Sequence, residues 1–173
     1  MQPWRLLRQR PGPAGHVRVL TNTYALPDGR PVEWDLIAGG DSVAVLALTD
    51  QEQVVLARQY RPGPGRVLDE LPGGGIEDGE LPVDAAAREL AEETGYGGEL
   101  EVIGSTWLAG NAMRRRWAAV ASGCQPAGAA QPDGGESIEL VLKPLAEFRR
   151  QLRAGQLTDA DIAYMCLDRC GLL

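Results

Sequence analysis

Apolar and polar residues alternate over 17–26 (VRVLTNTYAL), the pattern of a half-buried strand, and residues 32–37 carry a second such strand. Pro27-Asp28-Gly29 between them predicts a turn, because proline presets φ and glycine accepts a positive φ. Gly39, Gly40 and Asp41 break the pattern. Residues 42–49 (SVAVLALT) are almost continuously apolar, as in a strand covered on both faces. A polar turn over 50–53 leads to a strand over 54–58, and 59–65 reads as a Pro/Gly loop. Asp84 is placed to cap a helix over 85–94, and Gly95 is placed to end it in a left-handed conformation. Three further strands are predicted over 100–107, 116–121 and 137–142, with a long Gly/Pro/Ala loop over 122–135. An amphipathic helix over 145–153 closes at Gly155, and Thr158 is placed to cap a last helix ending at Gly171. The first fifteen residues, with Arg5, Arg8, Arg10 and Pro11-Gly12-Pro13, read as an irregular arm. This mixture of strands and helices predicts an α/β fold. Residues 1–38 form an arm and β-hairpin annex, and 39–173 form the main domain.

Charge narrows the function. Against 17 Lys+Arg stand 24 Asp+Glu, a net charge of −7. A non-specific nucleic-acid binder is normally basic, whereas an acidic protein that handles phosphates does so with a metal ion between them. With 44% apolar and 24% charged residues the chain is of ordinary globular composition. No stretch approaches the roughly 20 apolar residues of a membrane helix, and the N-terminus lacks a signal-peptide core. The expectation is a soluble cytoplasmic protein with neither a nucleic-acid nor a membrane partner. The three cysteines, Cys124, Cys166 and Cys170, are too few and odd in number for a disulfide scaffold and read as small buried hydrophobes. His16, the only histidine, follows a Pro/Gly turn and reads as a surface residue, which argues against Ser–His or Cys–His nucleophilic chemistry.

The chemistry concentrates in LPGGGIEDGELPVDAAARELAEETGY, residues 71–96. Glu89 and Glu93 are four apart and Glu92 is three after Glu89, so three carboxylates share roughly one helix face. Their repulsion is tolerated on a solvated face and becomes binding around a hard divalent cation, which prefers oxygen ligands. Ala86, Ala87, Leu90 and Ala91 lie on the opposite face, and Arg88 adjoins the acidic one.

The spacing decides between these readings. Gly74, five residues, Glu80, seven residues, Arg88-Glu89-Leu90, one residue, Glu92-Glu93, one residue, Gly95-Tyr96 matches the Nudix box at every position. The chain therefore resembles a Nudix hydrolase. That resemblance implies an α/β/α sandwich with a mixed β-sheet, and hydrolysis of a nucleoside diphosphate linked to a moiety X. It implies Mg²⁺ or Mn²⁺ held by Glu89, Glu92, Glu93 and the backbone carbonyl of Gly73, with Glu80 bracing the loop, and catalytic roles for Glu92 and Arg88.

Beyond the box, VEWDLI, VVLARQYRPG and DELPGG are similar to the ADP-ribose pyrophosphatase branch. The likeness implies that Arg61 contacts substrate phosphates or ribose, with Arg58 and Glu70 beside it. It implies a catalytic base at Glu136, with Glu139 as the fallback, and a homodimer formed through the N-terminal annex. The implied substrate is ADP-ribose or a related nucleoside diphosphate sugar. GDP-mannose or another such compound is the alternative within the class, because residues 107–111 (WLAGN) lack the branch's Pro-Gly, and non-catalytic nucleotide sensing is the alternative outside it, against which the intact box argues. Trp4, Tyr24, Trp34, Trp107 and Trp117 are the candidates to stack on the base, and Arg114-Arg115-Arg116 either meet an anionic X or form a solvated loop.

Overall fold

The computed structural model describes residues 2–13, 15, 17–131 and 137–173. They fold as two units, Met1–Asp41 with Trp107–Arg115, and Ser42–Thr106 with Arg116–Leu173.

In the first unit β1 (Arg5–Pro11), β2 (Arg18–Ala25) and β3 (Pro31–Ala38) form an antiparallel sheet in the order β1-β2-β3. The expected hairpin is there. Gly29 has φ +85°, its N–H reaches the Leu26 carbonyl at 2.9 Å, and Ala25 pairs with Pro31. Residues 5–11 form a strand rather than the irregular arm expected of them. All seven of its side chains are exposed, so no apolar face marked it; the ladder to β2, Gln9 to Asn22 and Arg10 to Glu33 hold it. Ile37 exchanges backbone hydrogen bonds with Asn111 and Met113, which ties 107–115 to β3.

The second unit is built on β4 (Ser42–Leu48) and β5 (Gln53–Arg61), followed by β6 (Arg66–Glu70), β7 (Gly73–Gly75), α1 (Pro82–Thr94), β8 (Tyr96–Trp107), β9 (Arg115–Pro126), β10 (Glu139–Pro144), α2 (Leu145–Arg153) and α3 (Ala160–Arg169). Its sheet runs β10-β5-β4-β9-β8, with β6 on β5 and β7 on β4. β4 is parallel to β9 and antiparallel to β5, so the sheet is mixed. Val43, Val45 and Ala47 face Ala85, Ala86 and Leu90 of α1, while Ala44 and Leu46 face Phe148 and Leu152 of α2 and Ile162 and Leu167 of α3. The apolar run 42–49 is thus covered on both faces, and the architecture is the α/β/α sandwich implied by the resemblance.

Several local expectations differ from the structure, among them the strand predicted over 100–107, which begins at Tyr96. The loop placed over 59–65 is shorter, because β5 runs on to Arg61 and pairs with β6 around Gly65 (φ +67°). Strand β9 continues to Pro126, past the predicted end at Ala121. The first helix begins at Pro82 with Leu81 at the cap position, since proline suits a first turn that lacks N–H partners. Asp84 instead lies within that turn, where the helix dipole favours its charge. The last helix starts at Ala160 with Asp159 at the cap position, and the Thr158 hydroxyl bonds Glu70. Among the described residues no helix is long and apolar enough to cross a membrane.

Cys124 and Cys166 are buried, and burial pushes the Cys166 thiol up to about 12. Only a thiolate attacks an alkylating reagent. Iodoacetamide mapping of the folded protein at mildly alkaline pH should therefore modify the partly exposed Cys170 first and spare Cys166. Equal labelling of the two would show that α3 opens locally.

Candidate active site

The site begins with three glycines. Strand β7 pairs with β4 so closely that a Cβ on Gly73 would lie 2.2 Å from the Val43 carbonyl oxygen. A Cβ on Gly74 would lie 2.4 Å from Glu89 Oε1. These residues are glycine because a backbone and a carboxylate occupy the space of their side chains.

Helix α1 brings its acidic residues to that loop. Glu93 is buried, and its Oε2 accepts the Gly73 N–H at 2.9 Å. Arg88 is the hub. Its Nε and Nη2 donate to the two oxygens of Glu80 at 2.9 and 3.0 Å, and Nη2 also to the Gly75 carbonyl at 2.9 Å. Its Nη1 donates to Glu89 at 2.8 Å and to Glu92 at 3.1 Å. Glu80 in turn accepts the Glu77 N–H at 2.9 Å and closes the loop over 77–80, the bracing role expected of it. The bonds from Arg88, then that from Glu77, hold the Glu80 carboxyl below its ordinary range. The same pairing, with Glu80 first and then Glu89 and Glu92, raises Arg88 and keeps it charged.

Arg61 lies outside this frame. Its Nε donates at 2.5 Å to Oε2 of Glu70, which is fully buried, and Glu70 Oε1 accepts the Thr158 hydroxyl. Glu70 therefore holds Arg61 and Thr158 and is not turned toward solvent. Arg58 pairs instead with Asp69, Nε to Oδ1 at 2.6 Å, and Lys143 donates to the other oxygen of Asp69 at 2.7 Å. Arg58 and Arg61 are three apart on one strand, so alternation sends them to opposite faces. Arg116, from the basic run, is largely buried in ion pairs with Asp159 and Asp161. Burial raises the Asp159 carboxyl, and the Arg116 charge opposes that shift. Lys143, Thr158 and Asp159 carried no motif in the sequence; only the fold brings them to the arginine-bearing strands.

A NUDIX domain model matches residues 39–162. The chain belongs to the Nudix family. Its Nudix segment is 41% identical over 71 residues to the ADP-ribose pyrophosphatase of Bacillus subtilis, covering 41% of this chain and 38% of that protein. It is 39% identical over 95 residues to the ADP-sugar pyrophosphatase of Mus musculus, covering 49% of this chain and 44% of that one. The match spans less than half the length of each of these curated relatives. A crystal structure described as an ADP compounds hydrolase superposes with a TM-score of 0.82 at 21% identity over 100% of this chain and 98% of that one, so the two share a fold.

Nudix hydrolases generally use divalent metal ions. Among the described residues no three acidic side chains already stand together as a cation site: Glu89 and Glu92 engage Arg88, and Glu93 engages Gly73. The donors nevertheless fit a hard cation, because they are carboxylates held against a glycine loop. The space beside Gly74 belongs to the Glu89 carboxylate, and a methyl group would fill it. Glu136 lies outside the described residues, as does His16. Glu139, on β10, is in register with Arg58.

Gly74→Ala tests the cradle. The atom in the way is the far end of a flexible side chain, so the variant should fold and push the Glu89 carboxylate aside. Turnover should fall by about tenfold or more with little change in Tm, in line with the effect of displacing groups that orient metal ligands. Gly73→Ala, which meets backbone, should instead lower Tm.

Proposed function

We propose that this chain is a divalent-metal-dependent hydrolase of the pyrophosphate bond in ADP-ribose or a related nucleoside diphosphate sugar, giving a nucleoside monophosphate and a sugar phosphate. The observation that carries the reading is the carboxylate frame of α1 seated on Gly73 and Gly74 and locked by Arg88. The names of the B. subtilis and mouse relatives support the substrate class.

Glu89, Glu92, Glu93 and the Gly73 carbonyl would hold Mg²⁺ or Mn²⁺. When bound, the ion neutralises phosphate oxygens and lowers the pKa of a coordinated water. Arg88 and Glu80 fix the rotamers of the ligating carboxylates. Arg61, anchored through Nε on Glu70, presents its remaining N–H groups to a phosphate, for which the guanidinium fork is suited. Glu136 takes a proton from the attacking water. Trp4 stacks on Trp34 at 6.2 Å and meets Tyr24 edge-on at 6.1 Å. These rings, with Leu36 and Asn111, line a cavity of about 560 Å³ within the first unit. The three-stranded sheet of Met1–Asp41 provides the dimer contact, and the protein acts in the cytoplasm.

The test is product release from ADP-ribose, GDP-mannose, UDP-glucose and NADH with Mg²⁺, with Mn²⁺ and with chelator. Metal-dependent cleavage of ADP-ribose to AMP supports the assignment. Cleavage of another sugar nucleotide moves X, and nucleotide binding without any cleavage overturns the enzyme reading in favour of a sensor. Sedimentation at micromolar concentration should show a dimer.

A further inference from the structure

A second charged cavity, of about 510 Å³, opens beside β6, and none of its lining residues belongs to the box loop or to α1. Arg58, Arg66, Lys143, Asp69, Gln151 and Gln156 supply its polar wall, and Val67 and Leu68 an apolar one. The side-chain acceptors of Asp69 and Gln151 are already used. Asp69 takes both Arg58 and Lys143, and Gln151 takes Lys143 at 2.5 Å through its oxygen. The Gln151 amide nitrogen donates to the carbonyls of Asp69 and Gln156 at 2.7 and 3.0 Å, which fixes the cavity floor to the α2–α3 connection.

Donors are what remain. Arg66 forms no ion pair among the described residues, and Arg58 uses only Nε and Nη2 on Asp69. Three cations line the cavity against one carboxylate, a surplus of two positive charges in a chain of net charge −7. Glu139, opposite Arg58 in register, acts on it through space and trims that surplus without entering the lining. The complement of such a cavity is a small, strongly anionic group with several acceptor oxygens. A phosphate monoester carries about −1.5 to −2 at neutral pH and three such oxygens, and a guanidinium matches its geometry.

We propose that the cavity formed by Arg58, Arg66 and Lys143 around Asp69 binds a phosphate monoester at a site separate from the carboxylate frame of α1. Glu70, the residue that holds Arg61, follows Asp69 directly on β6, so an occupant of this cavity rests on the strand that positions Arg61.

The probes are inorganic phosphate, ribose 5-phosphate and AMP, titrated calorimetrically into the full chain in chelating buffer at low salt. Binding should appear at millimolar concentration or below. Arg66→Ser should weaken it by about tenfold or more, since a charge-assisted hydrogen bond is lost. Gln156→Glu, which puts an anion at the rim, should weaken it similarly, and both exposed substitutions are to be checked for native circular dichroism. Tighter binding of ribose 5-phosphate or AMP than of inorganic phosphate would identify a product-like occupant, and the reverse order the free ion. A non-hydrolysable nucleoside diphosphate sugar analogue should leave the binding heat unchanged. Displacement by that analogue, undiminished binding in both variants, or no heat with any of the three probes would each overturn the proposal. None of these readouts depends on turnover, so they stand or fall separately from the proposed hydrolysis.

Discussion

Replacing Glu93 by Gln is expected to leave the protein folded and to lower metal-dependent turnover by at least about a hundredfold. Glutamine keeps the shape of the side chain and an oxygen to accept the Gly73 N–H, so the bond that seats α1 on the loop survives. The change removes one negative charge from the carboxylate set of the helix. Substituting groups that merely orient metal ligands costs roughly 10- to 100-fold, so loss of a carboxylate in the proposed ligand role belongs at or beyond the top of that range. Raising the Mg²⁺ concentration should recover part of the activity if the loss is one of affinity. The measurement is kcat and KM across a metal titration, with Tm followed in parallel. Turnover near the parent level at unchanged Tm would remove Glu93 from the ligand set.

The contrast between what the sequence disclosed and what it concealed follows from range. The box was legible because its constraints are local. Helical period places Glu89, Glu92 and Glu93 together, and the short spacing from Gly74 and Glu80 ties the preceding loop to the same helix. The buried strand β4 was legible because both of its faces are apolar. Strand β1 was not, since its exposed side chains give no period and its stability comes from pairing with β2. The helix cap was misplaced by three residues because a good capping residue, Asp84, follows a proline that already suits the first turn. Nothing in the string RQYR told which acid each arginine would meet, and strand alternation gives Arg58 to Asp69 and Arg61 to Glu70. Glu70 itself gave no sign of being buried. Its burial depends on Arg61 from the neighbouring strand and on Thr158, 88 positions away. An ion pair assembled over that distance leaves no pattern in a single sequence.

Arg88→Lys is expected to fail as a conservative change. Arg88 makes five hydrogen bonds, to Glu80 twice, to Glu89, to Glu92 and to the Gly75 carbonyl. They leave from three nitrogens spread over a rigid plane. Lysine carries the same charge on one nitrogen, which reaches the glutamates on one side or the loop on the other but does not bridge them. Hydrogen bonds to charged groups contribute about 1.5–3 kcal/mol each in favourable settings. Arg88 is partly exposed, so we expect a net loss of about 2–3 kcal/mol rather than the sum. For a chain of this size that corresponds to a fall in Tm of about 4–12 °C. Turnover should fall too, because Glu89 and Glu92 lose the group that holds their rotamers. The pH dependence separates this explanation from general loosening. Glu80 is held below its ordinary range by Arg88, so its contribution to stability is present above the unfolded-state value and is lost as pH falls through the lower folded-state value. Part of the acid-side decline of Tm in the parent protein therefore belongs to this pair, and Arg88→Lys should flatten it. A variant that loses stability equally at all pH values, or that keeps full turnover, would show that Arg88 does not act through these carboxylates.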